Sequence, residues 1–267
     1  MATDEAIMWS VARGTSPATL RLYAWDPACL SLGRAQAASE VDHNRLQSQG
    51  YGLVRRPSGG RAILHIDELT YCVCLHKNDP IARGGVLPVY HRLSVGLLEG
   101  LDEIGLLARN DLATHRHAAA GAACFEQRSH YEIRVAERKL LGSAQWRQGS
   151  GVLQHGSLPL RGDIARICDV LVFAKPSERE RARDQVRQRA GTVAAVLGRE
   201  VGWDQVAGAL VRGLARALEV QLQPGKLSPD ELQRAGKLRV RKYAQPDWTQ
   251  GQSSALARVC PPMTSAP

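Results

Sequence analysis

Aromatic residues are sparse in this chain, 5 % of 267 positions with two phenylalanines among them. No zinc-finger, RNA-recognition or helix-turn-helix pattern accompanies them, which argues against a nucleic-acid reader. Long apolar runs are also missing: no stretch of about eighteen apolar residues occurs, so no membrane span is expected. The beginning of the chain has no basic patch followed by an apolar one, hence no recognisable secretory leader. Cysteines are few and scattered, at Cys29, Cys72, Cys74, Cys124, Cys168 and Cys260, with no C-x-x-C pair. That spacing supplies neither a zinc motif nor a disulfide framework, and a reducing cytoplasm is the expected compartment. Cys72 and Cys74 share one face of an expected strand, where core packing explains them better than metal binding. His115 and His117 lack helical i,i+4 spacing and read as loop residues, so no metal and no cofactor is expected.

What is present begins with a core. Hydrophobic residues reach 44 %, enough for one large α/β domain or two small ones. The formal net charge of +9 points to an acidic partner surface, nucleic acid or an acidic carrier protein, and the scarcity of aromatics weighs against the former. Helical periodicity marks residues 2–12, with Ile7, Met8 and Val11 on one side. It also marks 89–107, with Leu93, Leu97, Leu101 and Ile104 on one face. Shorter helices are expected at 39–49, capped by Ser39, and at 163–170. The stretch 203–218 is amphipathic. The capping box Ser228-x-x-Glu231 opens a last helix to about residue 243. The charge-dense stretch 175–189 reads as a solvated helical face. Strands are expected at 20–25, 29–33, 52–55, 61–65, 69–75, 131–135 and 151–160. Strands dominate the first 160 residues and helices the rest, which predicts an α+β or mixed α/β fold. A single domain over 1–248 is expected, followed by a polar, disordered tail over 249–267. A buried helix at the start of the chain is unusual, and a strand is expected before Ala2 to close the sheet edge.

Two stretches carry chemistry. In 124–157, CFEQRSHYEIRVAERKLLGSAQWRQGSGVLQHGS, a candidate nucleophile, Cys124, precedes a strand, a tight turn at 136–138 and a candidate cation, Lys139. A lysine beside a cysteine favours the reactive thiolate. The plainer reading is a packed cysteine and a solvated lysine. Gly142, Ser143 and Ala144 are small enough for a backbone to lie close to a ligand. In 55–65, RRPSGGRAILH, two strands flank a Gly-Gly turn and are expected to form a hairpin. Its glycines let amides approach a ligand, and Arg55, Arg56 and Arg61 suit an anion. A plain turn explains the same letters.

Taken together, RRPSGGRAILH, ELTYCV, CFEQRSHYE, KLLGSAQWR and LQHGSL resemble the lipoate–protein ligase and octanoyltransferase superfamily. Within it the chain is most similar to the octanoyl-carrier-protein:protein octanoyltransferases of the LipM type, over about residues 1–248, with Lys242, Tyr243 and Trp248 fitting the family's C-terminal end. The resemblance implies the biotin/lipoate protein ligase catalytic-domain fold, a mixed β-sheet flanked by helices around an acyl tunnel. It implies transfer of octanoyl from acyl carrier protein to a lysine of a lipoyl domain or glycine cleavage H protein. Cys124 matches the acyl-thioester cysteine and Lys139 the lysine that lowers its pKa. Ser58, Gly59 and Gly60, then Gly142, Ser143 and Ala144, then His155 and Gly156 match the walls around the acyl head. Arg55, Arg61 and His65 fall within the same Gly-Gly motif and are grouped with the substrate-binding set. Backbone amides near Gly60 or Gly142 and Ser143 are candidates for the oxyanion site. Members carry a proline where Arg128 stands, so the loop at Gln127 and Arg128 departs from the pattern.

Three other readings compete. An ATP-dependent lipoate–protein ligase shares the fold, the glycines and the lysine, but needs no cysteine and tends to carry Gly-Asn-x-Asn where Glu68, Leu69, Thr70 and Tyr71 stand. A lipoyl-domain amidotransferase typically lacks the arginines at Arg55, Arg56 and Arg61. A non-catalytic acyl-protein binding module has no need to keep both Cys124 and Lys139.

Overall fold

A computed structural model of the chain describes residues 1–111 and 132–251. Its spine is a six-stranded sheet in the order β1 (Thr19–Tyr23), β5 (Glu68–His76), β9 (Gly151–Pro159), β8 (Arg138–Gln148), β7 (Glu132–Val135) and β6 (Arg109–Asp111). Every neighbouring pair in it is antiparallel. A second sheet of three strands places β2 (Cys29–Leu32) between β3 (Gly52–Arg55) and β4 (Ile63–His65). β2 runs parallel to β3 and antiparallel to β4, so the pairings are mixed as expected.

β5 is buried along nearly its whole length because both faces of the large sheet are covered. Leu69, Tyr71, Val73 and Leu75 point into the main core, which is closed by α3 (Val86–Glu103) and α5 (Trp203–Ala217). Leu93, Leu97 and Leu101 are fully buried there, as their spacing predicts. The two helices cross at glycine: a Cβ on Gly213 would stand 2.3 Å from the Gly100 amide nitrogen and 2.4 Å from the Gly96 carbonyl oxygen. On the opposite face α1 (Ala2–Ala12) lays Ile7, Met8 and Val11 over Cys72, Cys74, Trp146 and Leu153. The two cysteines are core residues. The rest of that face, around Thr70, Gly142 and Ser157, borders a cavity beneath the small sheet.

The small sheet packs its other side on the 3-10 segment Ile164–Val170, capped by Asp163, and on α4 (Pro176–Arg189). Strand and helix register differ from expectation in two places. β3 and β4 do not form a hairpin; they flank β2. Gly33 touches the intervening loop so closely that a Cβ there would fall 1.8 Å from the Gly60 carbonyl oxygen, and the Arg34 amide donates to the Ser58 carbonyl at 2.9 Å. The 57–60 loop therefore reverses the chain across the end of β2, so that β4 pairs with β2 and not with β3. The helix expected over 39–49 is split into a 3-10 turn, Ala38–Glu40, and α2 (His43–Ser48). Val41 is drawn into an extended bridge with Leu171, and Asp42 rather than Ser39 caps α2, accepting from the Arg45 amide at 3.1 Å.

The last elements return to the start of the chain. The capping box of Ser228 and Glu231 opens α6 (Pro229–Leu238), which continues into the turn Arg239–Tyr243. There Lys242, fully buried, donates to Glu5 at 2.7 Å and stands 4.3 Å from the Trp248 ring centre. A final helix, Pro246–Gln250, runs across the boundary expected after residue 248. The tail from 252 onward lies outside the described residues.

Candidate active site

A break in strand register builds the cationic end of the site. β7 and β8 pair Glu132 with Gly142, Ile133 with Leu141 and Arg134 with Lys139, the register shifting between Ile133 and Arg134. Leu140 is the extra residue, a bulge of the kind that re-aims side chains beside active sites. Leu140 and Leu141 both enter the main core, so Lys139 is returned to the face that carries Glu132 and Gly142. Gly142 leaves the space that Lys139 fills: a Cβ there would lie 2.9 Å from Lys139 Cε and 3.2 Å from Nζ. Lys139 Nζ meets Glu132 Oε1 at 2.9 Å. Arg134 Nη1 stands 3.5 Å from the other carboxylate oxygen and also reaches the exposed Glu137. Two buried cations thus flank one buried carboxylate, and Arg134 draws on Glu137 as well.

From Lys139 a cavity of about 420 Å³ runs across the sheet. Its floor follows a row in register that begins at the buried Glu132 on β7 and continues through Gly142 on β8, Ser157 on β9 and Thr70 on β5. Its roof is the 57–61 loop and β4, through Arg56, Gly59, Gly60, Arg61 and Ile63. Gly156 is required in the floor, because a Cβ there would strike the Tyr71 ring at 2.5 Å and the Gly142 carbonyl at 2.6 Å. Tyr71 supports the floor from below: its hydroxyl is 2.7 Å from Ser143 Oγ and accepts from Gln154 at 3.1 Å, while burial pushes its pKa up to about 12.

Several polar groups facing the cavity bond to one another and to nearby backbone. Arg56 donates to Ser31 O and Oγ, both at 3.0 Å, and to the carbonyls of Gly59 and Arg61. It thereby holds the loop roof in place. Ser31 Oγ, which accepts from Arg56, is 2.8 Å from His65 Nε2. His65 Nδ1 is 3.8 Å from Glu68. Thr70 and Ser157 both donate to Glu68, at 2.8 and 2.7 Å. His155 Nε2 is 2.6 Å from Ser58 Oγ. Burial lowers both histidine pKa values, that of His155 to about 3, so both rings are neutral at neutral pH.

Of the residues singled out in the sequence, Lys139, Gly59, Gly60, Arg61, His65, Gly142, Ser143, Ala144, His155 and Gly156 line this one cavity. Ser58 stands behind it, as the partner of His155. Arg55 does not line the cavity. Its buried guanidinium donates to the carbonyls of Gly33, Gln36, Trp248 and Thr249, tying the C-terminal helix to the small sheet. Cys124, Gln127 and Arg128 lie outside the described residues, as do His115 and His117. Sequence reading missed Glu132, Thr70 and Ser157. Each falls inside a quoted motif, but only strand register shows that they stand in one row with Gly142.

A family model described as the lipoyl protein ligase A/B catalytic domain matches residues 1–215. An octanoyltransferase LipM of Kyrpidia tusciae is 42 % identical over 254 residues, covering 93 % of this chain and 92 % of the relative. Another, of Moorella thermoacetica, is 41 % identical over 253 residues with the same coverage. Among solved structures, a bipartite lipoate protein ligase of Thermoplasma acidophilum superposes with a TM-score of 0.79 at 24 % identity, over 94 % of this chain and 90 % of that one. A lipoate-protein ligase A bound with ATP gives 0.76 at 25 % identity, over 94 % and 92 %. The α+β fold is that of these ligases, and the chain belongs to the lipoyl protein ligase A/B catalytic-domain family and, within it, to the octanoyltransferases of the LipM type.

Proposed function

We propose that this protein is an octanoyltransferase that moves an octanoyl group from acyl carrier protein to a lysine of a lipoyl domain or glycine cleavage H protein. The observation that carries the reading is the cavity with Lys139 at one end. Cys124 stands eight residues before Glu132 in the chain, and Glu132 touches Lys139. In the first step the Cys124 thiolate attacks the donor's thioester carbonyl. The new C–S bond forms, the carrier's C–S bond breaks, and the carrier leaves as a thiolate. In the second step the acceptor's neutral ε-amine attacks the acyl-enzyme. The amide C–N bond forms, the Cys124 C–S bond breaks, and the amine's surplus proton goes to the released thiolate. Lys139 serves both steps as the cation that favours thiolate over thiol and faces the developing oxyanion. The two steps exchange one thioester for another and then for an amide, so no nucleotide is consumed. The net charge of +9 supports encounter with acidic protein partners, in the cytoplasm.

Likeness in fold to an ATP-bound ligase favours a second reading, in which the carboxylate is activated as an adenylate. The experiment that separates them incubates the protein with an apo acceptor under two conditions. Octanoyl carrier protein without ATP should octanoylate the acceptor. Transfer only from octanoate plus ATP would establish the ligase instead.

A further inference from the structure

Lys139 is a hazard to the reaction it serves. Its side chain lines the end of the cavity that receives the acyl carbonyl, and an amine is what the acyl group is finally delivered to. A Cβ on Gly142 would lie 3.2 Å from Lys139 Nζ. An acyl carbonyl resting on the floor at that glycine therefore comes within about 3–3.5 Å of the nitrogen, the separation of a near-attack pair. Without its proton, Lys139 would compete with the acceptor's lysine, and would do so from inside the site. The amine would attack the octanoyl thioester carbonyl. The C–N bond would form, the C–S bond would break, and the surplus proton would go to the departing thiolate. The product is an octanoyl-lysine within the enzyme, an amide that no later step of the cycle opens. The cation is lost with it, and the cavity stays filled.

Burial does not keep the proton on Lys139, because removal from water disfavours the charged form of a lysine. Arg134, its partner across the strands, adds a like charge and pushes in the same direction. Of the two cations only the lysine can shed a proton; a guanidinium stays charged in a protein. The opposing influence is Glu132, buried on β7, with Oε1 2.9 Å from Nζ. The bulge at Leu140 returns Lys139 to the face that carries this carboxylate. Arg134 reaches Glu137 as well as Glu132. We infer that Glu132 protects the enzyme from acylating itself, by holding Lys139 as a charged ammonium that cannot act as a nucleophile while the octanoyl group passes. The inference rests on the octanoyl-transfer reading and adds to it a residue that acts through Lys139, not on the substrate. It also accounts for how a lysine can stand beside a thioester while the acyl group goes to a lysine of another protein.

The test incubates full-length protein with octanoyl carrier protein, then treats it with neutral hydroxylamine, which opens a thioester and leaves an amide. Intact mass and peptide mapping locate any octanoyl group that remains. Wild type should lose all of its octanoyl. Glu132→Gln should retain an octanoyl group on Lys139, formed at least about 10-fold faster than in wild type, the smallest change expected when a buried cation loses the carboxylate beside it. Its transfer to an acceptor should decay as that adduct builds up. Glu132→Gln with Lys139→Arg has no amine to acylate and should show no resistant adduct. Should Glu132→Gln not fold, Glu132→Asp draws the carboxylate back by about 1.5 Å and should give the same adduct more slowly. A folded Glu132 variant whose octanoyl is wholly labile, or that takes up none, overturns the protective role while leaving octanoyl transfer by wild type standing. Wild type that forms the Lys139 adduct as fast as the variant overturns it too. If wild type takes no octanoyl from the carrier and transfers none, the transferase reading itself falls.

Discussion

Lys139 Nζ lies 2.9 Å from Glu132 Oε1, and both side chains are sealed from solvent, at 2 % and 0 % exposure. The carboxylate serves Arg134 as well, so its loss deprives two buried cations of a shared partner, whereas loss of Lys139 leaves Glu132 with Arg134. Glu132→Gln should therefore destabilise the fold by about 3 kcal/mol, Lys139→Met by less, and the double variant should recover part of the Glu132→Gln cost. Urea unfolding of the four proteins reads the cycle. Strictly additive costs would remove the coupling.

Gly142 and Gly156 make opposite predictions from the same kind of crowding. A Cβ at Gly142 meets only the mobile end of Lys139, so Gly142→Ala should fold normally but displace the ammonium and slow transfer by roughly 100-fold. A Cβ at Gly156 meets the Gly142 carbonyl and the Tyr71 ring, so Gly156→Ala should cost about 1–3 kcal/mol of stability before any catalytic effect is counted. Transition midpoints and transfer rates measured on both variants check the contrast.

The buried histidines predict a direction in pH. The folded protein holds His155 neutral down to about 3, while the unfolded chain takes a proton near 6.5. Its contribution is complete above about pH 6.5 and is lost as the pH falls toward 3, by up to about 1.4 kcal/mol per unit. The lowered pKa of His65 acts in the same sense. Between about pH 7.5 and 5, wild type should lose stability, and His155→Gln should lose about 2 kcal/mol less over the same interval. Equal losses would show that His155 is not the group responsible.

Arg55 predicts a structural lesion. Its guanidinium bonds the backbone of Trp248 and Thr249, and Trp248 Nε1 donates back to the Arg55 carbonyl at 2.8 Å. Arg55→Met should destabilise the protein by about 3 kcal/mol and shift its tryptophan emission as the Trp248 site loosens. KM for the acyl donor should stay unchanged in the folded fraction, which a substrate contact would not allow.

Much of the fold was legible because its elements carry strong local signals. The α1 face of Ile7, Met8 and Val11, the leucines of α3 and the Ser228 capping box all stand where their spacing puts them. The three strands of the small sheet were legible, but their pairing was not. Arg-Pro-Ser-Gly-Gly-Arg has the letters of a hairpin turn, and only the contact of Gly33 with Gly60 shows that the chain crosses β2 instead. Lys139 and the glycines around it could be named from sequence, but Glu132 could not. Its role depends on the bulge at Leu140, which shifts the alternation on which strand reading relies. Arg55 and Arg56 are adjacent and chemically alike, yet one braces the C-terminal helix and the other the cavity roof, a difference set by strand alternation alone.

In the proposed reaction, acyl transfer passes through a thioester on Cys124. Wild-type protein mixed with octanoyl carrier protein, without acceptor or ATP, should gain a single octanoyl group. Peptide mass mapping should place it on Cys124, and neutral hydroxylamine should remove it. Cys124→Ser should not gain it under the same conditions. An acceptor octanoylated at the wild-type rate by Cys124→Ser, or a wild-type protein that transfers octanoyl without ever carrying it at Cys124, would contradict the claim.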